Sequence, residues 1–211
     1  MLKLKVCGMK YAANIAAVAA LRPDYLGFIF YEQSPRFINE VSAELIKYIP
    51  EEIKTVGVFV NAAIEVVAKQ VNTNKLKAVQ LHGSESPEFC AHLKSQLPHL
   101  ELIKAFGVDE EFGFSTLEAY NEHVDYFLFD TKTKAHGGSG KTFDWRILAA
   151  YQGSKPYFLS GGIDLAHAET IKEIQDLRLY ALDINSKFEF EPGLKDAEKV
   201  SAFKAIIEGS K

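Results

Sequence analysis

The chain has 211 residues, 47% hydrophobic and 25% charged, which suits one domain with an ordinary core. A net charge of −4 excludes a general nucleic-acid binder, which needs a basic face, but leaves room for a small anion held by a few local donors. The two cysteines make no disulfide framework, the start lacks a signal's long apolar stretch, and no apolar run nears the roughly 18 residues of a membrane span, so a cytoplasmic location is expected.

Short runs rich in Val, Ile, Leu, Phe and Tyr recur along the chain. They predict strands over 3–7, 25–30, 55–60, 76–81, 101–105, 125–130, 156–160 and 179–184, with starts separated by roughly 22–30 residues. That interval holds one strand, one helix and two loops. Between them, 14–21 is alanine-rich and ends before Pro23. Residues 61–71 open with Asn61, a residue suited to capping, and carry Ile64, Val67, Ala68 and Val71 at helical spacing. Residues 86–96 open with Ser86 and Pro87. Helices are also expected over 164–174 and 196–207, with a weaker pattern over 112–122. Runs such as FLFD and YFLS are apolar on both faces, as in a parallel sheet covered on both sides. Eight such units predict the α/β class and a single-domain (β/α)8 barrel, or TIM barrel, spanning 1–211. About 250 residues is typical for that fold and about 200 its lower edge, so loops should be short. An open doubly wound sheet has the same period and is the structural alternative.

In such a barrel the chemistry sits at the C-terminal ends of the strands. The polar groups expected there include Cys7, Arg36, Asn61, His82, Asp130, the glycines Gly161 and Gly162, Asp183 and Ser186. Cys7 reads either as a small buried hydrophobe or as a thiolate able to take a carbon-bound proton, given a lowered pKa. Cys90, inside PEFCAHL, reads as core. Asp130 closes FLFD, where a carboxyl must be capping, hydrogen-bonded or functional; partial desolvation would suit it to general acid work. Arg36, stiffened by Pro35, is a solvated loop residue or a donor fork for a planar carboxylate. His82 in QLHG is structural, a base, or a donor to substrate. LSGGID places two glycines between strand and helix, where backbone N–H groups and a helix N-terminus meet an anion. A phosphate site between the seventh and eighth strand loops follows, with INSK on the other side.

KAHGGSGKTFDW, after the sixth strand, is glycine-rich. Gly140, Lys141 and Thr142 fit the phosphate-loop pattern GxxxxGK[ST], but its first glycine is Ala135 here. One reading is a nucleotide hydrolase or kinase; the other is a glycine-rich lid through Gly137, Gly138 and Gly140.

Taken together, KVCG, SPRF, VGVFVN, LKAVQLHG, FLFDTKTKAHGGSGKTFDW, FLSGGI and LDINS…EPGLKD resemble the phosphoribosylanthranilate isomerase family over essentially the whole chain. The resemblance implies an Amadori rearrangement of N-(5-phosphoribosyl)anthranilate in tryptophan biosynthesis. It implies Cys7 as general base, Asp130 as general acid and Arg36 on the anthranilate carboxylate. It implies the SGG glycines and the eighth-strand loop on phosphate. No cofactor or metal is required, because the imine accepts the charge. The expected partner is the small anionic substrate, with no nucleic acid and no membrane, on a monomer or homodimer. One departure is Ser186-Lys187-Phe188-Glu189 where the family has Ser-Gly-Val-Glu; lysine adds a cation but lacks glycine's backbone freedom. A non-catalytic sugar-phosphate-binding barrel is the third alternative.

Overall fold

The computed structural model describes residues 2–41, 43–131 and 145–209. Eight parallel strands close into a barrel in sequence order: β1 (Lys3–Val6), β2 (Tyr25–Ile29), β3 (Lys54–Phe59), β4 (Ala78–Leu81), β5 (Glu101–Val108), β6 (Tyr126–Thr131), β7 (Tyr157–Leu159) and β8 (Leu179–Ile184). Closure is made by β1 against β8, with Lys3 opposite Ala181 and Val6 opposite Ile184. The open-sheet alternative is thereby excluded. All eight expected strands are present: β8 coincides with its expected range, β5 runs three residues further, and the others differ by a residue or two at their ends.

The intervening helices are α1 (Ala12–Ala20), α2 (Ala43–Ile46), α3 (Ile64–Asn74), α4 (Pro87–Gln96), α5 (Ala168–Lys172) and α6 (Ala197–Glu208). Ser86 caps α4 as expected, its Oγ accepting from the Phe89 amide at 3.2 Å, and Asp196 caps α6 by accepting from the Lys199 amide at 3.0 Å. Asn61 does not cap α3. That helix begins two residues later behind Ala63, and Asn61 (φ 51°) instead accepts from the Ser84 amide at 2.7 Å. The expected helices at 112–122 and 164–174 are tighter and shorter. The first is a 3₁₀ segment, Phe114–Tyr120; the second is a 3₁₀ turn, Leu165–His167, running into the five-residue α5. Another 3₁₀ segment, Trp145–Ala150, precedes β7. Sequence periodicity missed the four-residue α2 and a small hairpin, β9 (Glu189–Glu191) with β10 (Leu194–Lys195).

Packing follows the period of two along each strand. One set of residues, including Leu4, Val6, Leu26, Phe28, Phe59, Val79, Leu81, Phe127, Phe129 and Leu182, lies outside the sheet under the helices. The alternate set enters the barrel: Tyr25, Val56, Ala78, Ile103, Ala105, Leu128, Phe158 and Ala181 form one buried cluster. Tyr25 and Tyr126 pack edge-on against Phe158, with centroids 5.3 and 5.4 Å away. Two residues further along the same strands the interior changes character. Gln80 follows Ala78, Asp130 follows Leu128 and Asp183 follows Ala181, all buried. These polar positions lie toward the C-terminal ends of their strands.

Candidate active site

Cys7 directly follows β1, its amide bonded to the Ile184 carbonyl at 2.9 Å, and its side chain is buried. Gly27 on β2 makes room for the thiol: a Cβ there would lie 2.8 Å from the sulfur. Two residues back, the Lys5 ammonium also points into the barrel. It donates to Gln80 Oε1 at 2.7 Å and Asp183 Oδ2 at 2.8 Å, and lies within hydrogen-bonding reach of the Cys7 sulfur. Burial works against the Lys5 charge, but Asp183 and Cys7 outweigh it and hold the ammonium above its ordinary pKa.

The thiol itself runs against expectation. Burial pushes Cys7 above its ordinary pKa; Lys5 and Lys195 pull it back, and Asp183 adds to the rise. The lowered pKa that the thiolate reading of Cys7 was conditional on is not found: enclosure outweighs the two ammonium groups.

Asp130 stands at the end of β6 with side-chain exposure of 13%. His82, straight after β4, turns Nε2 toward it at 3.3 Å, while its Nδ1 meets Gln80 Nε2 at 2.7 Å. Asp183 lies within electrostatic reach of both His82 and Asp130. Burial lifts its carboxyl above the ordinary range, against the pull of Lys5, and its Oδ1 is buried with no hydrogen-bond partner among the described residues. Cys7, Lys5, Asp183, Gln80, His82 and Asp130 thus form one linked polar cluster, with the sulfur at one end and the Asp130 carboxyl at the other.

Arg36 is not a solvated loop residue. Glu189 on β9 grips it two-fold, accepting from Nε at 2.9 Å and from Nη2 at 2.7 Å. A guanidinium has five donors, so the edge formed by Nη1 and the remaining Nη2 hydrogen is left for a second carboxylate. Glu189 also accepts from the Gly193 amide at 3.1 Å and from Lys195, whose ammonium reaches Asn185 Oδ1 at 2.6 Å. Burial lowers Lys195 to about 8, against the pull of Glu189. Asn14 on α1 fixes this hairpin by bonding both the amide and the carbonyl of Lys195, at 2.7 and 2.8 Å.

Gly161 and Gly162 follow β7 with φ of 91° and 67°, the left-handed region that glycine enters without strain. The helix behind them is too short, and too fully capped by Asp164 and His167, to supply the macrodipole anticipated for an anion. What remains there is backbone. Ser186 opens a 3₁₀ turn after β8. The exposed Lys187 and the Lys199 ammonium, 2.8 Å from Asp164, set positive charge beside the Gly161–Gly162 turn. Gly137, Gly138, Gly140, Lys141 and Thr142, the lid or phosphate-loop residues, lie outside the described residues.

Four residues that build the site were missed: Lys5, Gln80, Glu189 and Lys195. The first two had a signal. A lysine in LKLKV and a glutamine in AVQL break otherwise apolar strands at barrel-facing positions. The last two had none, because their hairpin follows no periodic pattern.

The fold and this cluster define a class: a β/α-barrel enzyme with its polar groups gathered at the C-terminal mouth of the barrel. The comparisons narrow it. The family profile of N-(5′-phosphoribosyl)anthranilate (PRA) isomerase matches residues 4–205. The N-(5′-phosphoribosyl)anthranilate isomerase of Parabacteroides distasonis is 47% identical over 95% of this chain and 90% of its own. The solved phosphoribosyl anthranilate isomerase of Thermotoga maritima superposes with a TM-score of 0.83 at 33% identity, over the whole of both chains. A solved isomerase in complex with reduced 1-(o-carboxyphenylamino)-1-deoxyribulose 5-phosphate gives 0.80 at 29%, again over both whole chains. The chain belongs to the phosphoribosylanthranilate isomerase family, and that membership sets the nucleotide-hydrolase alternative aside. Its activity is the isomerisation of N-(5′-phosphoribosyl)anthranilate to 1-(2-carboxyphenylamino)-1-deoxyribulose 5-phosphate in tryptophan biosynthesis.

Proposed function

We propose that Asp130 and Cys7 are the acid and base of this isomerisation. Asp130 gives its proton to the furanose ring oxygen, the C1–O bond breaks, and the anilino nitrogen's lone pair forms a protonated imine. Cys7 then removes the proton from C2. The C2–H electrons move into C1–C2 and the imine electrons return to nitrogen, giving an enolamine. Protonation at C1, with loss of the proton from the C2 hydroxyl as C2=O forms, yields the aminoketose. No electrons leave the substrate.

The raised thiol fits an order of events. Enclosure holds the Cys7 thiol above its ordinary pKa, against the pull of Lys5 and Lys195. The protonated imine adds a third positive charge just when a thiolate is needed. Arg36, held from behind by Glu189, offers its free edge to the anthranilate carboxylate. His82 Nε2 stands beside Asp130, and Asp183 Oδ1, without a partner among the described residues, accepts from a sugar hydroxyl. The amides around Gly161 and Gly162, with the Ser186 loop, take the phosphate, and Lys187 replaces the family's glycine with a cation. The chain acts as one catalytic domain in the cytoplasm, with this small anion as its ligand, as a monomer or homodimer.

The observation that carries the assignment is the continuous polar path from the Cys7 sulfur to the Asp130 carboxyl across the barrel. The fluorescence decay of phosphoribosylanthranilate tests it. Wild-type protein consumes the substrate; Arg36→Ala chiefly raises KM. Unchanged KM removes Arg36 from the site, and near-normal turnover in both Cys7→Ser and Asp130→Asn overturns the two central roles.

A further inference from the structure

The buried groups between Cys7 and Asp130 have fixed donor and acceptor directions. A lysine ammonium has donors only. The Gln80 atom 2.7 Å from Lys5 Nζ is therefore the amide oxygen, and the NH₂ must face the other way. It does, meeting His82 Nδ1 at 2.7 Å. Nδ1 is thereby an acceptor without a hydrogen, and the ring hydrogen sits on Nε2, the nitrogen 3.3 Å from Asp130 Oδ2. Flipping the Gln80 amide would set its NH₂ against the ammonium. Both Lys5 and Gln80 are buried, so no bulk water substitutes for either partner. Lys5 is held in turn by Asp183.

We propose that Lys5 and Gln80 are positioning residues that lock His82 as the neutral Nε2–H tautomer. The locked ring presents an N–H rather than a lone pair to Asp130 Oδ2, 3.3 Å away, and so orients the carboxyl assigned as the acid. His82 then cannot serve as a base in the reaction. This rests on Asp130 being the acid, but the tautomer can be read without reference to turnover.

The test is nitrogen NMR of histidine-labelled protein between pH 7 and 8, with the His82 signals identified by their loss in His82→Asn. The lock requires an unprotonated Nδ1 and a protonated Nε2. Gln80→Glu keeps the shape but replaces the NH₂ donor by an acceptor, beside the Lys5 charge that compensates it. Nδ1 must then carry a hydrogen, and kcat falls about tenfold or more, the scale of one misdirected charge-assisted hydrogen bond, with KM little changed. Where Gln80→Glu does not fold, Gln80→Leu serves: the ring then shows both tautomers and kcat falls likewise. A wild-type Nδ1–H or doubly protonated ring overturns the proposal. So does a changed tautomer with unchanged kcat. Near-normal turnover in Asp130→Asn, with the Nε2–H form still observed, defeats the acid assignment but leaves the lock standing.

Discussion

Ala78, Leu128 and Ala181 share strands with Gln80, Asp130 and Asp183, two residues apart and facing the same interior, yet the two layers do different work. The first layer is filled by rings and branched side chains. Its few polar atoms sit at ring edges, where Tyr25 bonds Glu101 at 3.2 Å and Tyr180 at 3.0 Å. The second layer buries an ammonium, two carboxyls and an amide, each needing a specific partner. Burying such groups costs free energy that packing residues of similar volume would not. The barrel tolerates the second layer because the first, together with the helices outside, supplies the stability. A lost atom in the first layer should weaken the fold, and one in the second should weaken the reaction.

The largest expected effect lies in the second layer. Cys7→Ser and Asp130→Asn each should lower kcat by about 10²–10⁴-fold, the range for one acid–base partner, with the circular-dichroism melting profile close to wild type. Loss of the fold instead would erase the distinction between the layers.

The division was partly visible in the sequence. Eight apolar runs at regular spacing carry the barrel, because a strand buried on both faces leaves little choice of residue. Cys7, Asp130, His82 and Arg36 were legible as polar groups at strand ends. The electrostatics were not. The raised thiol depends on how completely neighbours enclose Cys7, and the Glu189 grip on Arg36 joins residues 153 positions apart through an aperiodic hairpin. The Asn61 cap failed because its side chain found the Ser84 amide, a tertiary partner that outcompeted the local one.

Phe158→Ala comes next. It removes a ring at the centre of the first layer and should cost about 3–5 kcal/mol in urea unfolding, while KM of the folded protein stays near wild type. A large rise in KM with little loss of stability would reverse the roles of the layers.

Lys195 sharpens the comparison through pH. Its folded pKa is about 8, against an ordinary value of 10.5. Between those values the unfolded chain binds the proton that the folded chain has released, so this group's contribution to stability rises with pH over that window. The stability of wild type relative to Lys195→Met should therefore increase from pH 8 to pH 10 in parallel urea titrations; a flat difference would show that burial of this ammonium carries no cost. The smallest effect belongs outside both layers. Glu208→Gln removes the surface pair with Lys204 and should change stability by no more than about 0.5 kcal/mol by the same method.

Isotopic substitution at C2 of the substrate separates the two ends of the site most directly. With Cys7→Ser, breaking the C2–H bond becomes the slow step, and deuterium at C2 should slow turnover by a full primary effect. With Asp130→Asn, ring opening becomes slow, and the same deuterium should leave the rate nearly unchanged. The reverse pattern, or equal effects in both variants, would contradict the assignment of sulfur to the base and carboxyl to the acid.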